Sequence, residues 1–224
     1  GVTDKIFRKL VRKWAPESLL FTEMINATSL KHGYGTQKIK QLELEKGPIG
    51  VQIFDNRPFA VSDAAKLAED SGAFLIDINM GCPVKKISKK GGGSALIKDR
   101  LLALELVKRA LKAVKIPVTV KTRLGWDNKE ENIEEFLLNL QDIGAAMITI
   151  HGRTRKEGFS GAADWDMIGR IKELLEIPVI ANGDIKNPKD AINCFKKTNA
   201  DGLMIGRGIL GSPWKIGEID HAIK

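Results

Sequence analysis

One cysteine of this chain sits where chemistry could be done. Cys82 lies in the run DINMGCPVKKISKKGGGSAL (77–96), just beyond an apolar strand, between Gly81 and Pro83. A loop rich in lysine and glycine follows it. A thiol that only packs rarely occupies such a loop, whereas a thiol that meets a substrate often does. Lys85, Lys86, Lys89 and Lys90 of the same loop would give it a cationic rim, as a polyanion such as RNA would need.

Other polar residues end apolar strands. Gln52, alone in VQIF, offers amide donors and acceptors to a planar heterocycle. Lys121, in VKTRLG, must meet water, a carboxylate or a bound anionic group, and Arg123 two residues on points to the same side. His151 ends AMITIH; a lone histidine there is more often structural than catalytic. Two later loops suit a phosphate. ANGDI (181–185) and GRGILGSP (206–213) bring Gly183, Gly206 and Gly208 for close backbone approach and Arg207 for a bidentate grip, with Asp184 placed to cap the loop or bond a sugar chain. Turn glycines and a surface arginine explain either loop alone, but less easily both. A phosphate clamp with polar strand ends beside it implies a ligand with a phosphate tail and a flat head. FMN fits, with Lys121 near the pyrimidine edge and Gln52 bonding its carbonyl and ring nitrogens.

The elements that would position these residues follow from periodicity. Near-continuous apolar runs at 19–24, 49–54, 74–79, 117–122, 146–151, 178–183 and 201–206 read as buried parallel strands. Helical patterns lie at 57–71, 99–114, 131–143, 164–175 and 187–198, with Asp164 and Asn187-Pro188 as starts. An earlier helix over 2–14 has Asp4 or Thr3 as its cap and Ile6, Phe7, Leu10, Val11 and Trp14 on one face. KIPVTVKT and EIPVIANG form a weak internal repeat.

Strict β/α alternation allows a (β/α)8 barrel lacking a strand or an open doubly wound sheet. No G-x-G-x-x-G follows the first strands, which weakens the second. Glu23, Gln52, Asn79, Lys121, His151, Asn182 and Gly206 stand at the C-terminal ends of different strands, which converge on one face only in a barrel. A closed barrel needs a strand before the first helix. The expectation is one domain over 1–224, a TIM barrel without its first strand.

Composition sets outer limits. The 224 residues, 43% hydrophobic and 29% charged, suit a globular domain, and the net charge of +8 favours an anionic partner without proving one. No apolar run is long enough to span a bilayer and no signal-peptide pattern is present, so no membrane association is expected. Two cysteines make no disulfide scaffold and suit a reducing cytoplasm. Cys194, in DAINCFKK, reads as packing. His32 and His221 have no metal-like partners, so no metal is expected. Gly91 to Gly93 read as the hinge of the Cys82 loop.

With these residues placed, the chain resembles the dihydrouridine synthases, FMN enzymes that reduce uridines in tRNA. The most specific match is NMGCP (79–83) with KKISKKGGGSAL after it. FTEM (21–24), VQIF (51–54), VKTRLGW (120–126), IHGRTR (150–155), ANGDI and MIGRG support it. The resemblance implies that Gln52, Lys121, Asn182, Gly183, Asp184, Gly206 and Arg207 bind FMN with His151 close to the flavin. It also implies that Cys82 is the proton donor, with Asn79 and Arg123 near the uracil. It departs in two places. The family's first strand ends in Pro-Met-Ala before a Gly-x-Thr-Asp matched by residues 1–4, and a C-terminal helical domain follows the barrel, so the sequence is expected to be a barrel trimmed at both ends.

The resulting expectation is a monomeric oxidoreductase. NADPH reduces FMN, a flipped uridine takes hydride at C6, and Cys82 protonates C5. A flavin barrel acting on a free pyrimidine, similar to dihydroorotate dehydrogenases, is the nearest rival, and the four-lysine loop weighs against it. A non-catalytic RNA-binding barrel is the rival from another class.

Overall fold

The computed structural model describes residues 2–40, 42–127 and 132–224. Parallel strands alternate with helices in one sheet: β1 (Leu20–Phe21), β2 (Ile25–Asn26), β3 (Ile49–Phe54), β4 (Leu75–Asn79), β5 (Val118–Arg123), β6 (Ile148–His151), β7 (Val179–Asn182) and β8 (Gly202–Met204). Each pairs in parallel with the next along the order β1-β3-β4-β5-β6-β7-β8. Of the expected strand at 19–24 only β1 forms, and β2 begins just beyond its end; both pair with β3. Thr22 explains the break: its hydroxyl, not a backbone carbonyl, accepts from Gln52 N at 3.1 Å. β1 and β2 fill one barrel position. Among the described residues no strand joins β8 to β1, so this is a (β/α)8 barrel lacking one strand.

Alternation along the strands separates two faces. Val51, Ile53, Ile76, Ile78, Val118, Val120, Ile148 and Ile150 are fully buried on the helix-facing side. There they meet α3 (Pro58–Asp70), α5 (Arg100–Ala113) and α6 (Ile133–Asp142), whose buried rows include Ala64, Ala68, Leu106, Val107, Phe136 and Leu137. Burial of each larger side chain is worth about 1.5–3 kcal/mol. α7 (Trp165–Leu174) and α8 (Pro188–Thr198) continue the ring, and α9 (Lys215–Ile223) packs beside α8. Asp164 caps α7 by accepting from Met167 N, and Asn187 caps α8 by accepting from Asp190 N, as their positions predict. Of the helix expected over 131–143, Glu131 lies outside the described residues. Cys194 is fully buried, and burial pushes its thiol up to about 12, as packing requires.

The Ile-Pro-Val repeat has a physical counterpart. Glu69, at the end of α3, accepts from Lys115 N and Ile116 N ahead of β5, and Gln141 of α6 accepts from Glu176 N and Ile177 N ahead of β7. Each side chain satisfies two backbone donors next to a proline.

Two expectations need correction. α1 is Lys5–Arg12, capped by Asp4, while Thr3 donates to Phe21 O. Its apolar face is not buried as a whole: Ile6 is 80% and Trp14 52% exposed, while Val11 and Arg8 face inward. The reason is the ion pair of Arg8 with Glu45, which with a bond to Thr3 O turns the arginine inward. The lysine loop is also shorter than expected, because Lys85–Ser88 form a one-turn helix, α4.

Candidate functional site

Inward-facing residues of the strands would fill an ordinary barrel with apolar layers. Here most of those on β3 to β6 are polar. Registered pairs place Gln52 beside Asp77, Asp77 beside Thr119, Asn79 beside Lys121, and His151 beside Asn182. The C-terminal ends of these strands open into a cavity of about 260 Å³. Asn79, Cys82, Lys121, Arg123, His151, Asn182, Gly183, Asp184, Gly206 and Arg207 all line it.

Cys82 is held by its backbone. Asn79 Oδ1 accepts from Gly81 N at 3.1 Å and from Cys82 N at 2.9 Å, and Cys82 O accepts from Ser94 N at 3.1 Å. Gly93, at φ +58°, packs directly behind: a Cβ there would stand 3.0 Å from Cys82 O and 3.1 Å from Cys82 Cβ. The triple glycine is therefore a turn packed against Cys82. Arg123, buried between loops, donates Nε to Gly81 O at 2.7 Å and Nη1 to Thr154 O and Gly158 O. It joins the cysteine turn to the loop after β6.

Lys121 Nζ donates to Asn182 Oδ1 at 3.0 Å. Burial lowers its pKa to about 8, against the pull of Asp77 and with the push of Arg123. His151 is lowered to about 3, first by burial and then by Arg123, Lys121 and Arg153, so it is neutral near pH 7. Gly183, at φ +122°, lets that ring approach; a Cβ would lie 2.9 Å from His151 Cδ2.

At the other end, Gly206 has open space where a Cβ would be, and Arg207 leads a short 3-10 turn. Among the described residues Arg207 has no ion-pair partner, and its guanidinium lies 4.3 Å from the Phe159 ring centre. Asp184 does not face this pocket as a free charge: it accepts from Ala163 N and pairs with Arg153 at 2.7 Å. The pocket therefore carries, among the described residues, an arginine without an ion-pair partner, an open glycine and a buried ammonium whose bonded partner is an amide. That donor set fits an anionic, phosphate-bearing ligand with an electron-rich head.

Some expected residues stand elsewhere. Gln52 does not line the cavity; it lies behind Asn79, accepting from Asn79 Nδ2 at 2.9 Å and donating to Asp77 Oδ2 at 2.6 Å. Lys85 and Lys89 line a separate groove with Trp126 and Arg155, while Lys86 and Lys90 are exposed and line neither. Phe159 and Lys186 line the cavity unforeseen. Lys186 directly follows ANGDI, a usable signal; nothing in the sequence tells which way an exposed loop phenylalanine turns.

The family model described as dihydrouridine synthase matches residues 1–224. The chain belongs to the dihydrouridine synthase family. A "Probable tRNA-dihydrouridine synthase 1" of Synechocystis sp. is 51% identical over 224 residues, covering 100% of this chain and 63% of that protein. A "Probable tRNA-dihydrouridine synthase" of Rickettsia bellii is 44% identical over 226 residues, covering 100% of this chain and 69% of that protein. The chain thus spans 63% and 69% of the length of these two dihydrouridine synthase relatives. A structure of histamine dehydrogenase from Rhizobium sp. 4-9 superposes with a TM-score of 0.71 at 14% identity, covering 96% of this chain and 42% of that one. At that identity the likeness is one of fold. Among the described residues no helix is long and apolar enough to cross a membrane.

Proposed function

We propose that this domain, residues 1–224, reduces uridine to 5,6-dihydrouridine in tRNA, with FMN as cofactor and NADPH as reductant, as a cytoplasmic monomer. The observation that carries the reading is the placement of Cys82 on the same cavity as Lys121 and the Gly206–Arg207 turn. A proton donor thus faces a site suited to a phosphate-bearing planar cofactor.

Reduced FMN bound here would supply a hydride for C6 of the uracil, with the two electrons coming from NADPH. The chain's own residues do the rest. Gly206 and Arg207 would hold the phosphate, Lys121 and Asn182 would bond the electron-rich edge of the ring, and neutral His151 would lie beside it without adding charge. Asn79 and Arg123 face the uracil. As negative charge develops towards C5 and the O4 carbonyl, the Cys82 thiol gives its proton to C5, leaving a thiolate that solvent reprotonates. The cationic surroundings of Lys121, Arg123 and Arg207 favour that charge. The lysines of the following turn, at 85, 86, 89 and 90, meet the tRNA backbone.

The test is purification of the full-length protein and reaction with NADPH and tRNA from a strain deleted for its gene. A yellow protein, NADPH oxidation that depends on tRNA, and dihydrouridine at a defined position support the reading. Reduction of free uridine or dihydroorotate instead of tRNA would assign a free-pyrimidine enzyme. A colourless full-length protein that binds tRNA without oxidising NADPH would overturn the catalytic reading.

A further inference from the structure

Asp77 is fully buried in the middle of β4, and it does not line the cavity. An uncompensated carboxyl there is costly. Both oxygens are taken: Oδ1 accepts from Thr119 Oγ1 at 2.7 Å and Oδ2 from Gln52 Nε2 at 2.6 Å. Burial raises its pKa, opposed by those two bonds and by the Lys121 charge.

The bonds run on without a gap. Backbone N–H groups of Gly81 and Cys82 can only donate, so the Asn79 atom they meet must be its carbonyl oxygen. That turns the Asn79 amino group towards Gln52, whose facing atom must then be its own carbonyl oxygen. The Gln52 amino group is left facing Asp77, which must accept. One donor direction therefore runs from the Cys82 backbone to Asp77 through two side-chain amides, and without the end acceptor the Gln52 amino group loses its partner and the Gln52 side chain its anchor beneath Asn79.

We propose that Asp77 is a positioning residue: as the terminal acceptor of the chain Cys82 N–H to Asn79 to Gln52 to Asp77, it anchors Gln52 beneath Asn79 and so holds the Cys82 turn at the cavity. This role rests on the reading of Cys82 as the proton donor. Asp77 touches neither cofactor nor substrate; it acts through Gln52 and Asn79.

Asp77→Leu removes the acceptor at similar size. Asp77→Asn keeps it, because Asn can accept from Gln52 through its oxygen while donating to the Thr119 hydroxyl. In full-length protein, iodoacetamide alkylation of Cys82, followed by peptide mass spectrometry, reports the turn without any need for activity. The Asp77→Leu variant should alkylate severalfold faster than wild type, and Asp77→Asn at close to the wild-type rate. Single-turnover uridine reduction should fall by ~10²-fold in the Leu variant, as for a misplaced reacting group. Wild-type alkylation in a folded Asp77→Leu protein, or equal change in both variants, overturns the proposal. Should Asp77→Leu fail to fold, Gln52→Met cuts the same chain and should speed alkylation likewise; an unchanged rate there overturns it. If the wild-type protein makes no dihydrouridine, the acid role of Cys82 fails, while the alkylation comparison still decides the positioning role.

Discussion

The Lys121 ammonium at the end of β5 reaches past β6 to Asn182 at the end of β7, Nζ to Oδ1, at 3.0 Å. Asn182 donates its own amino group to Met204 O at 2.8 Å, which leaves its carbonyl to face the lysine. The pair thus presents a nearly buried cation whose partner is neutral, and its protonation responds to pH within the working range.

Flavin affinity should follow that proton. With Lys121 at about 8, the ammonium is present below that pH and lost as pH rises through it, so FMN binding should weaken between pH 7 and 9. Lys121→Met should weaken binding at pH 7 by about 10–100-fold, the worth of a charged hydrogen bond of about 1.5–3 kcal/mol, and flatten the pH dependence. Fluorescence titration of FMN measures both; a slope that survives in Lys121→Met would assign it to another group.

His151 should contribute to acid sensitivity. Its pKa is about 3 in the fold against 6.5 ordinarily, so between those values the unfolded chain binds the proton and the folded chain does not. Its contribution is complete above about 6.5 and is lost as pH falls towards 3. The slope from this one group is at most about 1.4 kcal/mol per pH unit. In urea unfolding at a series of acid pH values, His151→Gln should lose stability less steeply than wild type.

Cys82→Ala should separate the two half-reactions. Loss of a general acid costs typically ~10²–10⁴-fold, so uridine reduction should fall by that much while flavin reduction by NADPH stays close to wild type. Stopped-flow measurement of each half-reaction decides it; equal loss in both would remove the acid role.

Gly93→Ala should act on the same step from behind. The site has φ +58°, and a Cβ would press on Cys82 O at 3.0 Å. The left-handed backbone alone costs about 1–2 kcal/mol. Thermal unfolding should show that loss. Uridine reduction should suffer more than FMN binding, because the Cβ would meet Cys82 and Ile87 and neither Lys121 nor the Gly206–Arg207 turn.

Lys85 and Lys89 flank the groove formed with Trp126 and Arg155, where Arg155 lies 4.5 Å from the Trp126 ring centre. Neither lysine makes an ion pair among the described residues. Replacing each with Ala should weaken tRNA binding and lower its salt slope by ~1, without altering FMN affinity. Filter binding across a salt series reads this directly.

Much of the architecture was legible in the linear chain because burial on both strand faces leaves continuous apolar runs. β3, with IGVQIF, begins and ends where its pattern predicts. The 19–24 run misled because a threonine hydroxyl can replace a backbone acceptor, which periodicity does not register. α1 misled because an arginine with a carboxylate partner can take the buried side while isoleucine and tryptophan stay outside.

At the site, residue type and spacing determined which side chains end strands: Asn79, Lys121, His151, Asn182 and the Cys82 turn follow from that alone, since a parallel barrel sends every strand end to one face. What tertiary structure decided is how those groups divide the work. Gln52 turned from the cavity to Asp77, Asp184 was committed to Arg153, Arg123 bonded three carbonyls, and Phe159 came over Arg207. Hydrogen bonds between residues far apart in sequence are set by register and amide direction, which exist only once the strands lie side by side.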